Sequence, residues 1–385
     1  MVKPDRNRIR DPHTCVLKTL FQQPTQSSSS STRTWQWATP QIEGSNPCAR
    51  GGHTATLVQV GGGPKLVLFG GHYNNDGVYT NLNDVYVLDV DQNMWTTPVV
   101  KGTPPEPRYG HSASLVGSRV VFFGGRGDGG QHYRDLHALD VHAMTWYQGP
   151  SSGGAPAARM AHTSTLFGTN LLIFGGVSGP KFFSGLHVLD LTSMAWRTQE
   201  TTGPAPSARM GHAAVLMETN LLIHGGFSLP ANSVIEKTEV IGDVVQACYM
   251  NDFRVLNLHT WEWSRLRTHG VPLCPRFGHS IAASGTDLIA FGGWHGVDTT
   301  SWATRGKDKP MQPSGNEEQS NADCMILRTS DMTWSEVRYT GVAPCTRYFH
   351  SCTTIGPHLI VFGGYDGGKP LADLVVLRET SEGGK

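Results

Sequence analysis

Trp95, Pro104, Pro107, Arg108-Tyr109-Gly110-His111, Phe122-Phe123-Gly124-Gly125, Asp135-Leu136-His137-Ala138-Leu139-Asp140 and Trp146 mark out one stretch whose reading decides the rest of the chain. The chain repeats it. An Arg stands 13 residues after a Trp six times: Trp37 to Arg50, Trp95 to Arg108, Trp146 to Arg159, Trp196 to Arg209, Trp263 to Arg276 and Trp334 to Arg347. From that Arg to the first glycine of a Gly-Gly pair is 16 residues at Gly124, Gly175, Gly225, Gly292 and Gly363, and 20 at Gly70, where Gly61-Gly62-Gly63-Pro64 lengthens a turn. Self-similarity at such a period marks supersecondary units that cannot bury their own apolar faces and must stack on one another.

Each unit reads as four antiparallel strands. In the second, His111 to Val116 alternates small and apolar residues, Val120 to Phe123 is a short apolar run ending at the glycines, Asp135 to Val141 alternates again, and Trp146 opens a last short strand. The 46 glycines and 23 prolines suit many short strands joined by tight turns. With 31 basic against 31 acidic residues, no global field points to nucleic acid or to an anionic membrane as partner. The seven cysteines (Cys15, Cys48, Cys248, Cys274, Cys324, Cys345, Cys352) are odd in number and lack C-x-x-C spacing, which predicts reduced thiols and a cytoplasmic or nuclear setting. No signal-peptide core and no run of 18 apolar residues is present, so a soluble protein is expected.

Residues 1–33, with the Ser27 to Ser31 run, read as a disordered tail, residues 34–380 as the repeat domain and 381–385 as a C-terminal tail. Thr34-Trp35-Gln36-Trp37 matches Thr260-Trp261-Glu262-Trp263, so order is expected to begin there. The sixth unit has no Trp of its own after Leu377, and the segment at Trp35 to Thr39 is the strand it lacks. Pairing first strand with last would close the array and remove two open sheet edges.

Arg-x-Gly-His, the Gly-Gly pair, the Leu-Asp ending of the third strand and the Trp together resemble the kelch repeat over residues 35–380. The resemblance implies an all-β fold, a kelch β-propeller, and six in-register copies make it six-bladed with four antiparallel strands per blade. Three copies depart from the motif, with Ala161 and Phe349 where glycine is usual and Gly51-Gly52 before His53.

The six Trp are expected to pack between blades. The motif histidines His53, His111, His162, His212, His279 and His350 are too widely spread to share one metal ion and are expected as buried side chains hydrogen-bonded to backbone. Arg50, Arg108, Arg159, Arg209, Arg276 and Arg347 precede the innermost strand, which predicts a positive rim at the channel mouth suited to carboxylates, alongside a structural alternative in which each ties backbone carbonyls of the next blade. The loops between second and third strands share that face. Tyr73, Arg126, Phe182, Phe227, Trp294, His295, Tyr365 and Asp366 are the candidate contact residues in them. Two loops are long, Phe227 to Asn251 and Trp294 to Asp323; the first is apolar enough to fold back as a hairpin or helix, the second polar and Pro/Gly-rich.

Kelch-like propellers include enzymes. A galactose-oxidase-like copper site is not recognisable, the Glu-x-x-x-Asp-x-x-x-His iron triad of specifier proteins is matched at Glu239 and Asp243 but broken at Ala247, and no acid/base pair of the mutarotase kind can be placed. The expectation is therefore a non-catalytic module without cofactor or metal, monomeric, binding a protein or peptide with acidic or C-terminal carboxylate groups. An enzyme or small-molecule binder using the same mouth is the alternative, and assembly through the opposite side a third.

Overall fold

The computed structural model describes residues 33–75, 78–149, 154–229, 248–295 and 319–380. The expected tails at 1–32 and 381–385, the centres of the two long loops and the broken triad Glu239, Asp243, Ala247 lie outside the described residues. Among the described residues no helix is long and apolar enough to cross a membrane.

The repeats fold into small antiparallel sheets in a propeller-like arrangement. In the second unit Ser112–Val116, Arg119–Phe123, Leu136–Asp140 and Thr145–Gln148 pair in that order. The third and fourth units repeat it, and the first adds Glu43–Gly44 in parallel beside Met94–Thr96. Thr34–Ala38 pairs antiparallel with Leu374–Thr380, placing Trp37 opposite Leu377, and also runs parallel to Thr333–Thr340, so the fifth and sixth units share one sheet. Arg33, the last residue of the expected tail, is in fact tied down by Asp287 at 3.1 Å and Glu379 at 3.2 Å. The fourth-unit loop leaves the sheet as an extension of two strands, Asn220–Ser228 and Cys248–Asn257, paired as far as Ser228 and Cys248.

Cores lie between units, because a two-faced sheet of alternating residues buries one face against each neighbour. Trp146 packs with Val67 and Phe69 of the first unit and Val120 and Phe122 of the second; Trp95 packs with Leu66 and Leu88 of the first and Phe362 and Val376 of the sixth. All six repeat tryptophans are buried, each contributing about 2–3 kcal/mol of apolar burial.

Around the axis the units are linked by backbone. The amide of Gly52 donates to Phe349, Gly110 to Gly52, Ala161 to Gly110, Gly211 to Ala161, Gly278 to Gly211 and Phe349 to Gly278, all at 2.7 to 2.9 Å. The geometry needs left-handed backbone, which explains the usual glycine. Ala161 at φ 53° and Phe349 at φ 52° adopt it despite their side chains.

The histidines reach across to the preceding unit, and their 2.9 Å partners are hydroxyls rather than the backbone groups expected of them. His53 Nε2 meets Ser351, His111 meets Thr54, His162 meets Ser112, His212 meets Thr163 and His350 meets Ser280. His279 instead meets His224 Nδ1 at 3.0 Å.

Candidate functional site

The motif arginines do not form a cationic rim. Each is 0 or 1 % exposed, and its donors point into its own unit. Nη1 of all six donates to the carbonyl of the first paired glycine, at 2.6 Å (Arg276 to Gly292) to 3.1 Å (Arg50 to Gly70). Nε donates to the carbonyl two residues upstream. Arg50 with Asp84, Arg108 with Asp135, Arg209 with Asp252 and Arg347 with Asp373 form two-pronged pairs at 2.6 to 3.2 Å. For Arg50, Arg108, Arg209 and Arg347 the expected partner-binding role is thereby corrected to a structural one, in which the carbonyls tied belong to the arginine's own unit rather than to the next blade. A buried guanidinium is tolerable only when its fork is matched by fixed acceptors, and those acceptors then occupy it. Burial opposes the charge on Arg50, and the Asp84 carboxylate outweighs it, leaving the pKa above its ordinary value.

Arg159 differs. The residue before its third strand is Gly185, where the other units carry Asp84, Asp135, Asp252, Asp323 and Asp373. Among the described residues no carboxylate pairs with it, and burial draws its pKa down to about 10. Its guanidinium lies 4.2 Å from the ring centre of Phe183.

The mouth above the arginines is lined by aromatic and apolar side chains. The residue after each motif Arg forms a backbone bridge with the residue after each Gly-Gly pair: Gly51 with His72, Tyr109 with Arg126, Met160 with Val177, Met210 with Phe227, Phe277 with Trp294 and Tyr348 with Tyr365. The pairing places these side chains side by side around the opening. His72 lies 4.2 Å (ring centres) from Tyr109 and 5.1 Å from Tyr365; Tyr365 lies 6.0 Å from Tyr348, and Tyr348 lies 5.5 Å from Trp294 and 6.0 Å from Phe277. Phe277 continues to Phe227 at 5.8 Å, which meets Phe182 at 5.8 Å and Tyr249 at 5.4 Å. One continuous arc thus runs from the second unit through the first, sixth, fifth and fourth to the third.

Of the candidates, Arg126, Phe182, Phe227, Trp294 and Tyr365 fall on this arc. Arg126 is held by its Nη1 bond to the Tyr109 hydroxyl at 3.1 Å. Tyr365 is only 8 % exposed; its hydroxyl donates to the His72 carbonyl, and burial together with Tyr79, Tyr348 and Tyr109 raises its pKa well above the usual phenol. Tyr73 sits half-buried in the hairpin of His72–Asn75 and Val78–Asn81. His295 is half-buried at the start of the fifth-unit loop. Asp366 caps a turn by accepting from the amides of Gly368 and Lys369. Tyr109, Phe277, Tyr348, Tyr249 and Tyr79 were not among the candidates. The signal for the first three was the variable position inside Arg-x-Gly-His, whose side chain the bridge turns into the mouth. Gly51 stands at that position because the ring of Tyr365 occupies the space a Cβ would need.

Below the arc, Gly52, Gly110, Ala161, Gly211, Gly278, Phe349 and the motif histidines line a cavity of about 130 Å³. Burial and then the neighbouring arginine depress His111, His212 and His350 to about 3, so the ring is neutral at pH 7. Among the described residues no group of acidic, histidine and cysteine side chains is arranged to hold a metal ion, and Cys48, Cys274, Cys345 and Cys352 carry free thiols.

Comparison with known proteins agrees with this architecture. Residues 56–293 match the family model described as KLHDC2/KLHL20/DRC7 Kelch-repeats domain, and the chain belongs to that kelch-repeat family. Similar proteins include host cell factor of Drosophila melanogaster, 27 % identical over 84 % of this chain and 16 % of that protein, and the mouse Rab9 effector protein with kelch motifs, 35 % identical over 39 % of this chain and 38 % of that protein. Acyl-CoA-binding domain-containing protein 5 of Arabidopsis thaliana is 36 % identical over 36 % of this chain and 20 % of that protein. These matches span well under half of each relative's length. Kelch repeats of this kind are typically protein-interaction modules.

Proposed function

We propose that the chain is a six-bladed propeller sealed by Thr34–Ala38, and that it acts as a non-catalytic module taking a protein or peptide segment across the aromatic arc of the loop face. The pairing of Thr34–Ala38 with Leu374–Thr380 and the head-to-tail run of backbone bonds through all units support the architecture. The arc itself carries the function. Contiguous aromatic side chains with rigid backbone behind them offer large contact area at low conformational cost, the composition of interface anchors. The axial cavity, at about 130 Å³, is below the roughly 300–1,000 Å³ that enclosed small-molecule sites need, which favours a surface-binding partner over a small ligand. The similarity to a protein named as a Rab9 effector fits a module that works by binding another protein. The reading includes a monomer in the cytoplasm or nucleus.

A photo-crosslinking residue tests this at Tyr79, which is 65 % exposed beside the arc, against one at Tyr147, 44 % exposed on an outer strand. A discrete crosslinked species from the protein's own cells should form at Tyr79, be lost in Tyr348→Asp, and be absent at Tyr147. Equal yields at both positions would remove the arc from the function.

A further inference from the structure

We propose that the third unit carries a carboxylate-binding slot, formed by Arg159 and His187 beside Gly185, that receives an acidic group from a bound partner. The inference rests on reading the loop face as a partner surface.

The second unit supplies the template for occupancy. There the Asp135 carboxylate takes Nη1 and Nη2 of Arg108 at 2.6 and 2.9 Å, and its Oδ2 lies 2.9 Å from His137 Nε2. The third unit keeps both donors and removes the acid. His187 occupies the place of His137, and a Cβ added to Gly185 would lie 3.4 Å from His187 Nε2, an ordinary contact. A carboxylate arriving there would meet the same pair of donors from outside the chain.

A second loss points the same way. In the first, fourth, fifth and sixth units the residue two before the Arg also offers an acceptor: Cys48, Cys274 and Cys345 sulfurs and the Ser207 hydroxyl all lie within reach of Nη2. In the third unit that residue is Ala157. Among the described residues, Arg159 is hydrogen-bonded only to backbone, Nε to the carbonyl of Ala157 at 2.9 Å and Nη1 to that of Gly175 at 2.8 Å, with the Phe183 ring over its guanidinium. The guanidinium therefore keeps its pose with no side-chain acceptor, and removing one partner of a buried pair leaves a charge that strongly favours any anion able to reach it.

Access is from the Gly185 side. Arg159 is 1 % exposed, but Ser184 and Gly185 are exposed, and the aspartates that fill this place elsewhere are themselves 25 to 39 % exposed. Lys181, exposed and 5.5 Å from the Phe183 ring centre, adds positive charge beside the opening. Phe182, one residue from Phe183, belongs to the aromatic arc, so a segment lying on the arc would bring an acidic side chain or a free chain terminus to the slot.

Thermal unfolding of the full chain in sodium formate, against sodium chloride at equal ionic strength, reads the slot directly. Formate should raise the Tm of wild type by about 1–3 °C more than chloride, Gly185→Ala should keep that excess, and Gly185→Asp should melt higher and lose it. Absence of the excess in wild type, or an equal excess in Gly185→Asp, overturns the proposal. Peptides carrying Glu or Gln, with free or amidated C-termini, then identify which carboxylate is preferred. Formate binding without any peptide binding keeps the slot and sinks the partner reading. Arc-dependent crosslinking that Gly185→Asp leaves unchanged, with no formate excess, does the reverse.

Discussion

Ala213 and His224 face one another across the first two strands of the fourth unit. At the same register the other units pair a hydroxyl with a phenyl ring: Thr54 with Phe69, Ser112 with Phe123, Thr163 with Phe174, Ser280 with Phe291 and Ser351 with Phe362. The hydroxyl serves the histidine of the next unit, and the phenyl stands edge-on to it, as Phe123 does to His162 at 5.4 Å. Where the hydroxyl is missing, the ring has become an imidazole, and His224 supplies the bond to His279 from the opposite strand.

The exchange predicts strong coupling. His224→Phe alone leaves His279 without this partner in a buried site and should cost about 1–3 kcal/mol. Ala213→Ser with His224→Phe rebuilds the arrangement of the other units and should recover most of that loss. Urea midpoints of the two single variants and the double variant measure it, and simple additivity would show that the pair is not a replacement.

Acid should unfold the protein early. His111, His212, His224 and His350 have folded pKa values of about 3 because of burial and then nearby arginine charge, against about 6.5 unfolded. The unfolded chain therefore binds more protons between those values. The stability is fully present above about 6.5 and is lost as pH falls toward 3, at up to about 1.4 kcal/mol per pH unit for each group. Urea midpoints at pH 7, 6 and 5 should fall progressively more steeply, and a flat profile would contradict the burial of these rings.

Arg108→Ala should be severely destabilising. It leaves the Asp135 carboxylate with His137 alone and the Gly124 carbonyl without its guanidinium donor, with a loss of about 3–5 kcal/mol, and Arg108→Lys should restore little, because one ammonium cannot reproduce the fork. A Tm within a few degrees of wild type for Arg108→Ala would return this residue to the list of free surface cations.

Ala161→Gly should stabilise the protein by up to about 1 kcal/mol, since Ala161 pays a left-handed penalty at φ 53° that glycine escapes. Calorimetric Tm provides the check. Phe349 carries the same backbone strain, but its ring packs 5.5 Å from Phe277 on the arc, so Phe349→Gly should weaken crosslinking at Tyr79.

Deleting residues 1–30 should leave solubility and Tm unchanged, whereas deleting 1–45 removes Trp35 and Trp37 from the core between the fifth and sixth units and exposes the edge of Leu374–Thr380. Insoluble protein is expected from the longer deletion only; a soluble, cooperative melt would refute the seal.

The repeat register, the strands and the pairing of the first strand with the last were legible because they depend on spacings that the chain states locally: 13 residues from Trp to Arg and 16 from Arg to glycine, with alternation between. What the arginines and histidines do was not. The aspartate answering an Arg lies 34, 27, 43 or 26 residues downstream, beyond loops of unequal length, and the hydroxyl answering a histidine belongs to another unit.

Sequence by itself determined the kind of fold, since periodic apolar patterning leaves a stacked array as the way to bury each sheet. Only the tertiary structure decided which charges are consumed internally, which rings line the mouth, and that among the described residues Arg159 has no acid paired with it. Those facts depend on contacts between segments whose separation varies from unit to unit, and a buried charge is read correctly only when the atoms around it are known.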